Sequence, residues 1–162
     1  MLDSTTRAHI QRQLQQLSRL PAEYRSLLDT VPDDEPDLVE RTALSAVVQS
    51  FYQGAEGVFQ TIAKRVDDSM PSSAEWHRHL LRQMAESTDK RPAVISPDLR
   101  DQLTPYLAFR HLSRHTYPFL LNWSRMRRLV SNLAEVLQSQ EPVRVIALWR
   151  GRGIGVGRKA RE

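Results

Sequence analysis

The sequence predicts an all-α fold, an up-down bundle of about five helices. Apolar residues recur at steps of three and four along most of the chain, which is the helical period. No convincing apolar/polar alternation appears before Val143. With 162 residues, 40% hydrophobic and 26% charged, the chain suits one domain with its own core. Cysteine is absent, which removes disulfides, thiolate nucleophiles and Cys-based metal sites together.

The elements follow in order. Ile10, Leu14, Leu17, Tyr24 and Leu28 keep to one face, with Asp3 or Ser4 as N-cap and Pro21 expected to kink or split the segment. The acidic stretch from Asp29 to Asp37 contains two prolines and reads as a loop ending in a cap. From about Leu38 to Val66 runs the longest stripe: Leu44, Val48, Phe51, Ala55, Val58, Ile62 and Val66, the expected centre of the bundle. Trp76, Leu80, Leu81 and Met84 form the inward face of a shorter helix from Ala74 to about Ser87. A fourth helix begins near Pro97, a residue suited to a first helical turn, and carries Leu99, Leu103, Tyr106 and Leu107. After a disturbance around residues 110–118 the pattern resumes with Phe119, Trp123, Met126, Val130, Leu133 and Leu137. By this spacing Phe51, Tyr52, Phe59, Phe119 and Trp123 are core residues.

The net charge of +4 has a location. Residues 139–162 hold six basic side chains against Glu141 and Glu162, so residues 1–138 are neutral as a whole. The division is a helical domain over 1–138 and a mobile, basic, Gly/Arg-rich tail over 139–162. Gly151-Arg152-Gly153 superficially opens a phosphate-binding loop, but no helix follows for such a loop to feed. Within the body, residues 100–138 carry six arginines against Asp101 and Glu135. The longest uninterrupted apolar run, Val145 to Trp149, is far short of the roughly 20 residues a membrane helix needs. The polar N-terminus has no signal-peptide h-region, so a cytoplasmic chain without membrane attachment is expected.

The densest chemistry lies in Arg110-His111-Leu112-Ser113-Arg114-His115-Thr116-Tyr117. On an unbroken helix Arg110 and His115 project about 140° apart. For both to address one phosphate, the helix must break near His115 to Tyr117, or a two-fold axis must bring two copies together. The helical face pairs Arg110 with Arg114 and His111 with His115. His77 and His79 suggest a metal pair, but residues two apart on a helix diverge by about 200°. No metal is expected; Trp76 is read as core with His77 as its polar support.

Arg110-x4-His115-x-Tyr117, in an all-helical chain and between its last two helices, resembles the R-x4-H-x-Y signature of HepT-like ribonuclease toxins of the HEPN superfamily. Ser50-Phe51-Tyr52-x-Gly54-x-Glu56, Trp76-His77-x-x-Leu80-Leu81, Arg91-Pro92-Ala93-Val94-Ile95-Ser96 and Phe109-Arg110-His111 add to the likeness, which covers roughly residues 1–138. The chain departs from it after Leu137, where a HepT-like last helix is expected to run on. The resemblance implies a HEPN-like bundle and a metal-independent endoribonuclease without cofactor, working as a homodimer with the motif at its interface. It implies Arg110 and His115 as the catalytic pair, with His111 and Arg114 supporting. It further implies RNA as substrate and a cognate minimal nucleotidyltransferase antitoxin that adds AMP to Tyr117.

These residue types suit that chemistry. RNA scission needs a base for the 2′-OH, an acid for the leaving 5′-oxygen and positive charge for the phosphorane. An imidazole can act as base or acid, and an arginine can hold phosphate oxygens in a bidentate fork. Two other classes stay open: a non-catalytic helical module that binds nucleotide or RNA, and a helical adaptor.

Overall fold

The computed structural model describes residues 3–29 and 35–138. The basic tail expected over 139–162 lies outside the described residues. Helix α1 spans Ser4–Glu23 and starts where Asp3 accepts from the Thr6 amide at 2.9 Å and from the Thr6 hydroxyl at 2.6 Å. Pro21 lies inside the last turn of α1, and the expected split of the segment falls just after it, at Tyr24. A short helix α2, Arg25–Asp29, follows. Tyr24 is exposed there, contrary to its expected place on the inward face.

The central element is α3, Leu38–Ile62, opened by a reciprocal capping box between Asp37 and Glu40. It packs against α1 and against the three helices that follow: α4 (Trp76–Met84), α5 (Pro97–Ser113) and α6 (Trp123–Gln138). The observed α-helices, six among the described residues, form an all-α bundle with no strand. The expected stripe is its spine: Leu44, Val48, Phe51, Ala55, Val58 and Ile62 are all buried. On the α1 side the approach is close. A Cβ on Gly54 would stand 2.9 Å from the Leu17 side chain, and one on Gly57 would stand 3.3 Å from Gln13 Nε2. Among the described residues no helix is long and apolar enough to cross a membrane.

At its C-terminal end α3 widens into a π-helical turn, Ala63–Asp67, and stops at Asp68, whose φ of 53° is left-handed. The turn presents Asp67 inward. Arg91 meets it with two parallel bonds of 2.6 Å, Nε to Oδ1 and Nη2 to Oδ2. The remaining donors of Arg91 reach the carbonyls of Gln83, Glu86 and Pro92. Gln83 Nε2 adds a 2.7 Å bond to Asp67 Oδ2. One buried ion pair thus ties the α4–α5 connection to the end of α3.

The last helix begins later than its apolar spacing suggests. Pro118–Leu120 forms a 3-10 turn, and α6 starts at Trp123 with Asn122 Oδ1 accepting from the Ser124 amide at 2.9 Å. Phe119, expected in the core, is therefore 59% exposed, because the 3-10 turn does not share the helical register of α6. Trp123, Met126, Val130 and Leu133 do point inward, as expected.

The Asp67–Arg91 pair generates a stability prediction. Arg91→Leu leaves a buried carboxylate without its cation and should lower the unfolding free energy by about 3–5 kcal/mol. The urea unfolding midpoint checks it.

Candidate functional site

Helix α5 ends where its sequence turns polar. Ser96 caps its start, accepting from the Leu99 amide at 3.1 Å with Pro97 in the first turn, and the helix runs to Ser113. The His115 amide then bonds the Leu112 carbonyl at 3.1 Å, a three-residue closure that tightens the last turn. Tyr117 is already extended, with ψ of 143°. Of the two alternatives, a helix break near His115 to Tyr117 or a two-fold axis, the break is present, over residues 114–117. The chain re-enters helical geometry at Pro118 only as a 3-10 turn.

The motif residues part company at this break. Arg110 turns inward, and its Nη1 donates to Glu56 Oε1 at 3.1 Å. His115 stays exposed with its ring edge-on to His111, centroids 5.6 Å apart. Arg114 is exposed and continues the same surface. Tyr117 is 68% exposed and stacks on Phe119, centroids 5.3 Å apart and planes 8° from parallel. With Leu112 and Leu120 these rings make the motif surface unusually apolar for a solvent-facing turn.

Inside, Glu56 is the hub. Its side chain is only 3% exposed, yet both carboxylate oxygens are engaged. Arg110 from α5 takes Oε1, and His77 Nδ1 from α4 lies 2.6 Å from Oε2. An ionised carboxylate accepts only, so the His77 Nδ1 carries a hydrogen and donates it. The Trp76 ring stacks on the His77 ring at 3.5 Å. His79, two residues on, instead faces Ser73 Oγ at 2.9 Å, so the two histidines take separate partners. No group of three or more metal-ligating side chains gathers among the described residues.

Glu56 was not singled out as a site residue by its sequence position, although a signal existed. It falls four residues after Tyr52 and three before Phe59, on the buried face of α3. A carboxylate in such a stripe must be met by cations or donors from other elements. Tyr52 itself is fully buried, and its hydroxyl has no hydrogen-bond partner among the described residues. Burial, then the nearby Glu56 charge, push its phenol well above the ordinary tyrosine range, with Arg110 opposing.

A family model described as HepT-like protein matches residues 43–143, and the match spans Glu56, His77, Arg91 and the whole of Arg110 to Tyr117. The chain belongs to the HepT-like family of the HEPN superfamily. No curated protein and no solved structure matches it. Helix α1 lies outside the span matched by the HepT-like model.

The Tyr52 environment sets a pH dependence. In the unfolded chain this phenol ionises near pH 10, whereas the folded HepT-like protein holds its proton to higher pH. The stability it contributes is complete below about pH 10 and falls as pH rises beyond it. Tyr52→Phe should therefore make unfolding less sensitive to alkali. At neutral pH it should change stability by no more than about 1 kcal/mol, because no hydrogen bond is lost. Urea titrations across alkaline pH read both effects.

Proposed function

We propose that this HepT-like chain is a metal-independent endoribonuclease, the toxin of a toxin–antitoxin pair. The observation that carries the reading is the arrangement at the end of α5. Arg110 is held from within by Glu56, while His115 and His111 stand exposed on the adjoining turn. Arg110 would hold the phosphate, His115 would transfer a proton, and His111 and Arg114 would support them. The 2′-OH requirement restricts scission to RNA.

The apolar motif surface of Leu112, Tyr117, Phe119 and Leu120 supports a homodimer closing over this face, which would add a second Arg110 and His115 to the cleft. The same exposure makes Tyr117 accessible to a nucleotidyltransferase antitoxin. An AMP on its hydroxyl would place bulk and negative charge where RNA must bind. The proposed division leaves 139–162 as an accessory basic tail beside a catalytic body in 1–138. A cytoplasmic setting fits an RNA target.

One observation favours a second reading. The Glu56 carboxylate offsets the Arg110 charge, as suits a helical module that binds nucleotide or RNA without cutting it.

The two readings separate in one assay. Purified protein should cut RNA in the presence of EDTA, and His115→Ala should slow the cut by about 10²–10⁴-fold with circular dichroism unchanged. Salt-sensitive RNA binding without product would instead establish the binding module. Co-expression with the cognate nucleotidyltransferase should add AMP to the intact mass, mapping to Tyr117. An unmodified chain would remove that form of regulation.

A further inference from the structure

The motif in α5 and its following turn contains Arg110 and His115, but cleavage of an RNA strand moves two protons. One must leave the 2′-OH and another must reach the departing 5′-oxygen. The structure holds a second imidazole on the carboxylate that anchors Arg110. Glu56 Oε2 faces His77 Nδ1 at 2.6 Å while Glu56 Oε1 receives Arg110 Nη1 at 3.1 Å. Both contacts use one carboxylate group, so the guanidinium and the imidazole belong to a single site. From the geometry we infer that His77 is the general base of the cleavage reaction, an inference that rests on the ribonuclease reading above.

Four features support the assignment. First, donation from Nδ1 to an ionised Glu56 fixes the tautomer, so Nε2 is the nitrogen with the available lone pair. Second, a buried carboxylate behind an imidazole stabilises the imidazolium that forms when the ring takes a proton, the role such a group plays in hydrolytic triads. Third, the His77 side chain retains 25% exposure while Glu56 has 3%, so the ring is the part of the pair that meets solvent. Fourth, the Trp76 ring lies 3.5 Å from the imidazole and restricts its rotation. The charged group that faces the ring is Glu56 from α3, which itself receives Arg110 from α5.

The step balances. The 2′-oxygen forms its bond to phosphorus as its proton passes to His77 Nε2. The bond from phosphorus to the 5′-oxygen breaks as that oxygen takes a proton from His115. The products are a 2′,3′-cyclic phosphate and a 5′-hydroxyl. His77 then returns its proton to solvent, and His115 regains one. Arg110 holds the non-bridging oxygens throughout.

His77→Asn makes the test specific, because an asparagine amide can replace the Nδ1 donor to Glu56 but cannot titrate. The variant should lose about 100-fold or more in kcat with KM little changed. It should also lose the rise in rate with pH that marks a base becoming unprotonated. RNA with sulfur as the bridging 5′ leaving atom needs no acid. His115→Ala should recover on that substrate and His77→Asn should not. Wild-type rate and an intact pH profile in His77→Asn would overturn the inference while leaving the ribonuclease reading in place, as would recovery of His77→Asn on the sulfur substrate. A wild-type protein that cuts no RNA in EDTA would overturn both. Nitrogen NMR of the unsubstituted protein supplies a readout independent of activity and of any folding defect. It should show hydrogen on Nδ1 of neutral His77, and hydrogen on Nε2 with a bare Nδ1 would exclude the base role.

Discussion

A carboxylate buried in the middle of the central helix is the constraint on which this bundle's organisation turns. Removing Glu56 from water is costly, and the cost is recovered only if charged or donating groups arrive in good geometry. The two that arrive come from different helices, His77 from α4 and Arg110 from α5. The rotation of both helices about their axes is therefore tied to one position on α3. The same device recurs lower on the spine. There Asp67, turned inward by the π-helical turn, draws Arg91 and with it the chain between α4 and α5. Apolar burial makes the helices associate, and the two acids specify how they are aligned.

That constraint shapes the surface. Because Arg110 is drawn inward, the last turn of α5 can carry its cation without presenting all of it to solvent. The side chain is 15% exposed, whereas His111, Arg114 and His115 face outward from the following residues. The break at residues 114–117 then swings Tyr117 and Phe119 away from the helix as a stacked pair. A continuous helix would have carried Phe119 into a helical register. The 3-10 turn exposes it, and the motif surface gains its apolar character from that local change of geometry.

What was legible in the chain was what repeats. The three/four spacing of Leu44 to Ile62 located α3 and its buried face, and Pro97 marked the start of α5. The polar cluster from Arg110 to Tyr117 marked the helix break. What was not legible depended on partners distant in sequence. Nothing near Glu56 announces that Arg110, 54 residues on, will complete it. Nor does Phe119 reveal that it falls inside a three-residue 3-10 turn, out of the register of Trp123. Pro21 signalled that the segment from Ile10 to Leu28 would be interrupted, and the interruption comes three residues later, at Tyr24.

Under the proposed ribonuclease reading, the Glu56–Arg110 pair would bear on how the site treats the charge that develops during scission. Glu56 receives Nη1 of Arg110, so a phosphate held in a bidentate fork would have to meet the guanidinium through Nε and Nη2. The carboxylate meanwhile reduces the pull of the guanidinium on any single negative charge. A phosphodiester carries one such charge, and the phosphorane formed during scission carries more. Because attraction scales with the product of the charges, the offset by Glu56 weakens the pull on both states in proportion, and what the carboxylate can supply is a rigidly held guanidinium. Under that reading the buried acid acts through geometry, by fixing the guanidinium in advance of the charge that develops, and the charge it removes is the cost of that preorganisation.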